Sequence, residues 1–133
     1  DNTIAATDHF LDEALQWLRR RSDDGANDTG LVYVSDHGES LGENGLYLHG
    51  VPYAFAPRQQ TQVPMVAWLS PGMRERIGID LDCLRQRADE PLSHDNLFHM
   101  VLGLMDVRTR AYQRSLDAVA PCAGERGSRL AHG

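Results

Sequence analysis

The sequence predicts an α/β fold, a mostly parallel sheet flanked by helices, and three observations carry that expectation. Near the start, Ile4, Thr7, Leu11, Ala14, Leu15 and Leu18 recur at three- and four-residue intervals, with Asp8, Asp12, Glu13 and Arg19 to Arg21 on the other side. That spacing is a helix with one apolar face. The turn-rich loop SDDGANDTG follows, and then the continuous apolar run Leu31-Val32-Tyr33-Val34. A second run extends from Val63 to Leu69. Helix, loop and short apolar strand make half of a βαβ unit, and unbroken apolar runs suit strands buried on both faces. Leu31–Val34 and Val66–Leu69 are therefore expected as neighbouring or near-neighbouring strands, covered by helices over 4–20 and 97–105.

Local signals support each element. Asn2 or Thr3 can cap the first helix, acidic residues lie toward its positive end, and the three arginines lie beside its negative end, so this charge run needs no partner. His9 and Trp17 read as packing or surface residues. Pro64 stands at the start of the second strand, where a strand tolerates it. Ser70-Pro71-Gly72 reads as a closing turn and Met73 to Ile79 as a polar connector. Leu81 to Ala88 is a helical segment with Asp80 or Asp82 near its start. Ser93 caps a further helix in which Leu97, Phe98, Val101, Leu102 and Met105 form the apolar face. Tyr112, Leu116 and Val119 suggest a last apolar stripe. One domain is expected over residues 1–122, with 123–133 as a disordered tail.

Composition narrows the function classes. The 133 residues fit a single core, the net charge is −6, and all 13 basic residues are arginine, scattered apart from Arg19 to Arg21. No broad lysine-rich surface argues for nucleic acid. No run approaches the roughly eighteen apolar residues of a membrane span, and the fragment is expected to be soluble. Cys83 and Cys122 permit one disulfide, worth roughly 3–4 kcal/mol on the chain-entropy model if it forms; spacing alone equally allows a buried Cys83 and a free Cys122.

The chemistry concentrates in GLVYVSDHGESLGENGLYLHGVPYAFAPRQQTQVP, residues 30–64. Side chains alternate faces along a strand, so Asp36 and His37 can aim at one point only if the strand has ended before them; Gly38, able to take positive φ, would supply the bend. A carboxylate beside an imidazole suits zinc or manganese, and the end of a strand is where α/β folds place such groups. The competing reading of an Asp-His pair is a capped turn. Glu39 and Glu43 read as caps of a short local turn or, less favoured, as groups orienting His37. Arg58 reads as a surface residue, with an anionic substrate as its alternative. His94 and His99 are five apart and diverge by roughly 140° on a helix, so they read as structural, although His94 at a helix start could still line a site.

The segment SDHGESLGENGLYLHGVPYAFAP, with VPMVAWLS after it, resembles the lipid A phosphoethanolamine transferases of the alkaline phosphatase/sulfatase superfamily, a group that includes the mobile colistin-resistance enzymes. The likeness is specific from Ser35 to about Ser70 and looser in DNTIAATDHFLD and LSHDNLFHMVLGL. It implies an alkaline phosphatase-like fold of which this chain is the C-terminal part of a catalytic domain. It further implies zinc held in part by Asp36 and His37, His49 near the metal and the transferred headgroup, a phospholipid donor and a lipid A acceptor. The expected location is the periplasmic face of the inner membrane, reached through a membrane-anchored N-terminal region, and the expected phenotype is polymyxin resistance. The family also uses a threonine nucleophile at a helix start. None of Thr3, Thr7, Thr29, Thr61 and Thr109 stands in that context, so no catalytic residue is assigned, the chain alone is expected to be inactive, and its exposed apolar surface to favour self-association. The alternatives are a sulfatase or another phosphotransferase of the superfamily, and a non-catalytic α/β module with structural histidines.

Overall fold

The computed structural model describes residues 2–124, which form two compact units: residues 2–29 with 69–124, and residues 30–68. In chain order the elements are α1 (Asn2–Ser22), β1 (Gly30–Val34), β2 (Ser40–Leu41), β3 (Tyr47–Leu48), α2 (Arg58–Thr61), β4 (Met65–Leu69), α3 (Pro71–Ile77), α4 (Leu81–Gln86) and α5 (His94–Leu104). Single 3-10 turns stand at Glu43–Gly45, Arg114–Leu116 and Ala120–Cys122. The chain is thus mixed α/β, as expected. No helix among the described residues is long and apolar enough to cross a membrane.

In the unit of residues 30–68, β1 pairs with β4 and β2 with β3. The direction of the first pair differs from the parallel arrangement expected. The Ser70 amide donates to the Thr29 carbonyl at 2.8 Å, and the Thr29 amide to Ser70 Oγ at 3.1 Å, so the residue before β1 lies beside the residue after β4. Two strands paired in that way run antiparallel. The cause is the connection: a parallel return needs a crossover, usually a full helix, whereas the only helix between these strands is the four-residue α2. The strands are also less buried than expected. β1 is half-buried and β4 leaves Val66 40% exposed.

The other unit has its core on α3, α5 and the C-terminal turns. Met73, Ile77, Met100, Leu104, Val119, Ala120 and Cys122 are buried there, Met100 at 1% exposure. α1 contributes no buried residue. Its predicted stripe is nonetheless visible, since Thr7, Leu11, Ala14, Leu15 and Leu18 are half-buried while Ile4 is exposed. Asn2 and Thr3 lie inside the helix rather than capping it, and no acidic residue falls in its first turn. Arg19 to Arg21 occupy the last turn as expected, with the Arg21 guanidinium 5.2 Å from the centre of the exposed Trp17 ring. His9, also exposed, lies 3.6 Å from Glu13 one turn on.

Helix α3 occupies the stretch expected to be a turn and connector. Ser70 caps it by accepting from the Met73 amide, Pro71 takes a first-turn position where its missing N–H costs nothing, and Gly78 ends it at φ 73°. Asp80 caps α4 by accepting from the Asp82 and Cys83 amides. In α5 the Ser93 amide donates to the Asn96 side chain at 2.7 Å, reciprocating the expected cap. The buried face of α5 is His99, Met100 and Leu104, whereas Phe98, Val101 and Met105 of the predicted face are exposed. The returning segment decides this. The Gln113 amide donates to His99 Nδ1 at 3.0 Å and the Asn96 amide group to the Leu116 carbonyl at 2.8 Å, so residues 112–120 select the face they pack on. His99 is therefore a structural histidine.

Cys83 and Cys122 form a disulfide, with Cα atoms 5.5 Å apart, which removes the free-thiol alternative. Around it Asp80 N donates to Cys122 O and Gly124 N to Gly78 O, and Ile79 bridges Ala123. Ala123 and Gly124, expected in the disordered tail, are thus paired; residues 125–133 lie outside the described residues.

Asp117, buried, is the polar centre of this unit. Its Oδ1 accepts from the Val119 and Ala120 amides and its Oδ2 from the Tyr112 hydroxyl at 2.8 Å. Burial first, and then the Asp117 hydrogen bond, hold the Tyr112 phenol well above its ordinary range near 10. The folded state keeps this proton at a pH where the unfolded chain has released it, so the unfolded state binds fewer protons and stability falls as pH rises beyond about 10. Urea unfolding between about pH 8 and pH 11 should show that decline. Tyr112→Phe should flatten it, and an unchanged slope in that variant would place the alkaline loss elsewhere.

Candidate functional site

β1 ends at Val34, and the next four residues turn the chain so that Asp36 and His37 converge instead of alternating. The Ser35 hydroxyl donates to the His37 carbonyl at 2.7 Å, and the His37 amide to Asp36 Oδ1 at 3.0 Å. This is the capped turn that competed with the metal reading, and it also brings His37 Nε2 to 3.8 Å from Asp36 Oδ2. His37 Nδ1 lies 2.9 Å from the Gly38 carbonyl oxygen. A carbonyl only accepts, so Nδ1 carries a hydrogen, and Nε2 is the ring nitrogen on the Asp36 side. Zinc bonds to imidazole and carboxylate at about 2.0–2.2 Å, so one ion reaches both atoms at an open angle.

Gly38 serves this turn differently from the way expected. Its φ is not among the positive values of the chain; a Cβ there would instead collide with the Gln59 carbonyl. The close approach is held by the Gly38 amide donating to the Gln60 carbonyl at 3.0 Å and by Gln60 Nε2 donating to Ser40 Oγ at 2.9 Å, with Ser40 and Gln60 both buried. Ser40, Gln59 and Gln60 thus set the turn, and nothing local in the sequence marks them, because their partners stand twenty residues away.

The β2–β3 pairing brings in the second imidazole. Ser40 opposes Leu48 and Leu41 opposes Tyr47, so the next step of that register sets Glu39 against His49. His49 Nδ1 lies 3.4 Å from Glu39 Oε1, and its ring lies on that of His37 with centroids 4.0 Å apart and planes inclined by 33°. Glu39 is therefore a partner of His49 rather than a cap or an orienter of His37, whereas Glu43 does act locally, accepting from the Leu41 amide at 2.7 Å. Leu48, immediately before His49, has φ 63°, a conformation that costs a side-chain-bearing residue about 1–2 kcal/mol. The four side chains are all partly open to solvent. They form a row, Asp36, His37, His49, Glu39, with the two imidazoles adjacent and a carboxylate at each end. Among the described residues no three His, Cys, Asp or Glu side chains are grouped so as to hold an ion together.

Arg58 donates through Nε and Nη2 to Gln62 Oε1 at 3.0 and 2.8 Å, an interaction within its own short helix. His94 opens α5 in the unit of residues 2–29 and 69–124.

A mixed α/β chain with paired carboxylate and imidazole groups where a strand ends defines a class, and comparison with known proteins supplies its name. The sulfatase family model matches residues 1–107, and the chain belongs to that family. It is 48% identical over 123 residues to the phosphoethanolamine transferase EptA of Escherichia coli, covering 92% of this chain and 22% of that protein. To the phosphatidylethanolamine transferase Mcr-1 of Escherichia coli it is 45% identical over 107 residues, covering 80% of this chain and 18% of the relative. The crystal structure of the soluble domain of lipooligosaccharide phosphoethanolamine transferase A from Neisseria meningitidis superposes with a TM-score of 0.85 at 47% identity, over 92% of this chain and 36% of that one. The chain therefore spans about a fifth of the length of these curated relatives.

Two substitutions test the local geometry. Gly38→Ala should cost about 1–3 kcal/mol of stability by forcing the turn off Gln59. Leu48→Gly should gain about 1 kcal/mol by relieving the left-handed backbone. Urea unfolding checks both, and a neutral Gly38→Ala would mean that the 36–38 turn has room to move.

Proposed function

We propose that this chain forms part of the zinc centre of a phosphoethanolamine transferase, with Asp36 and His37 as metal ligands and His49 beside the transferred headgroup. The observation that carries the reading is the turn after β1: the Gly38 carbonyl takes the His37 Nδ1 hydrogen, and His37 Nε2 lies on the Asp36 side, 3.8 Å from Oδ2. An N/O donor pair of this kind fits zinc, and the family and the identity to phosphoethanolamine transferases favour that metal's chemistry here.

When bound, zinc would polarise a phosphoryl oxygen and keep a hydroxyl nucleophile ionised at neutral pH. The residues of this chain prepare the place. Asp36 supplies charge and His37 direction, both fixed by backbone hydrogen bonds rather than by long side chains. His49 Nδ1 lies 3.4 Å from Glu39 Oε1, which orients the ring. The carboxylates of Asp36 and Glu39 on either side of the two imidazoles suit the ammonium of a phosphoethanolamine group. The donor is then a phospholipid, phosphatidylethanolamine, and the acceptor lipid A, joined as one P–O ester bond to the donor breaks and another to the acceptor forms. Adding an ammonium to an anionic lipid lowers its attraction for cationic peptides, which accounts for the expected polymyxin resistance. We place the reaction at the periplasmic face of the inner membrane, in a longer protein that supplies the nucleophile, the remaining ligands and the membrane anchor.

Metal analysis after dialysis tests the ligand pair. The chain should retain zinc more weakly than a complete three-ligand site, and Asp36→Ala or His37→Ala should lower the affinity further by about tenfold or more. Full zinc retention in Asp36→Ala would sink the assignment. In a transfer assay the 133-residue chain alone should do no better than buffer, and metal-dependent turnover by it would show that these residues contain a whole site.

A further inference from the structure

Two buried polar side chains in the unit of residues 30–68 take no part in the chemistry proposed above. Ser40 is 1% exposed and Gln60 6%, and they are bonded to each other, Gln60 Nε2 donating to Ser40 Oγ at 2.9 Å. Packing alone does not explain the choice. Burying a glutamine freezes more rotamers than burying a leucine, and an alanine facing a methionine would fill the same place with no polar group to satisfy. What a buried hydrogen bond adds over apolar packing is direction. The partners of Gln60 show what is directed. Its carbonyl takes the Gly38 amide at 3.0 Å, and the Gly38 carbonyl lies 2.9 Å from His37 Nδ1. Its side chain holds Ser40, which opposes Leu48 in the β2–β3 pair, next to His49. One residue thus reaches both imidazoles, whose centroids are 4.0 Å apart.

We propose that Gln60 is a positioning residue for headgroup recognition, its side-chain bond to Ser40 setting where His49 stands against His37. The two arms of the glutamine divide the work. Its carbonyl fixes the turn that carries Asp36 and His37, and its side chain ties the β2–β3 pair, and with it His49, to the same point. The two arms are therefore separable by mutation: loss of the side-chain bond leaves the carbonyl in place, so His49 moves while the Asp36–His37 turn stays. The fixed separation of the imidazoles belongs to this unit alone; its use in holding a phosphoethanolamine group rests on the transferase reading above.

A double-mutant cycle on the 133-residue chain is the test. Ser40→Ala and Gln60→Met each strand one buried polar group and should lower the urea midpoint, whereas the double variant strands none and should recover most of that loss. A purely structural bond predicts that the site recovers with the stability. The positioning role predicts that it does not. The through-space NMR contact between the His37 and His49 rings, present in the metal-free parent, should weaken in both single variants and stay weak in the stable double variant. Zinc retention should change little there, while the affinity of the zinc-loaded chain for phosphoethanolamine, read from the His49 ring resonances, should stay about tenfold lower. Gln62→Ala, which removes the Arg58 bond of the same short helix, should change neither readout. The proposal is overturned if the ring contact is missing from the parent, if it returns in the double variant, or if it is lost there with phosphoethanolamine affinity unchanged. A ring contact that behaves as stated in a parent that binds no zinc overturns the transferase reading and leaves the positioning of His49 by Gln60 standing.

Discussion

The interaction on which the site depends is the clamp made by Gln60. This one buried residue uses its carbonyl to take the Gly38 amide and its side-chain amide to hold Ser40, so the turn bearing Asp36 and His37 and the start of β2 are fixed from the same point. Both bonds lie where water has little access, and breaking either would leave a buried polar group unpaired, at about 1–3 kcal/mol. Precision at Asp36 and His37 then comes at no further cost, since their own hydrogen bonds run to adjacent backbone atoms. The Ser40–Leu48 register carries the effect onward and determines where His49 stands. Three elements of the site thus answer to a glutamine that takes no part in its chemistry.

The unit of residues 2–29 and 69–124 is organised on the same principle with different groups. Its apolar core is small, and the chain from Tyr112 to Val119 has no regular secondary structure beyond one 3-10 turn to satisfy its backbone. Asp117 meets that need by accepting two amides and a phenol, and the Asn96 and His99 side chains of α5 bond to the backbone of the same segment. The Cys83–Cys122 disulfide closes the arrangement at its far end, beside the backbone pairing of residues 78–80 with 122–124. A buried carboxylate earns its place here by satisfying donors that an apolar residue of the same size would strand.

How much of this was legible in the sequence follows from the range of the interactions. Capping of α4 by Asp80 and of α5 by Ser93 needed partners within three residues, and both were readable. The convergence of Asp36 and His37 at the end of a strand was readable too, because alternation along a strand forbids it anywhere else. Illegible were the features set from a distance. Gly38 was expected to serve for its φ, but it serves for the approach of Gln59; Glu39 was placed on a cap, but the β2–β3 register gives it to His49. The buried face of α5 could not be chosen from periodicity, since Phe98, Val101 and Met105 are as apolar as Met100 and Leu104, and only the returning segment prefers one side. Helix α3 was hidden behind a Ser-Pro-Gly that reads as a turn but works as a cap followed by a first-turn proline. The strand direction was misjudged because unbroken apolar runs were read as strands of a parallel sheet, whereas the bonds between Thr29 and Ser70 set β1 and β4 antiparallel.

Asp36 and His37 converge with no third His, Cys, Asp or Glu grouped with them among the described residues. Each is held by hydrogen bonds internal to residues 30–68, so their convergence is set by the folding of this unit and needs no further group to assemble it. Were the pair to bind an ion, as proposed above, its ordering would already have been met by folding, and any further ligand would need only to approach it.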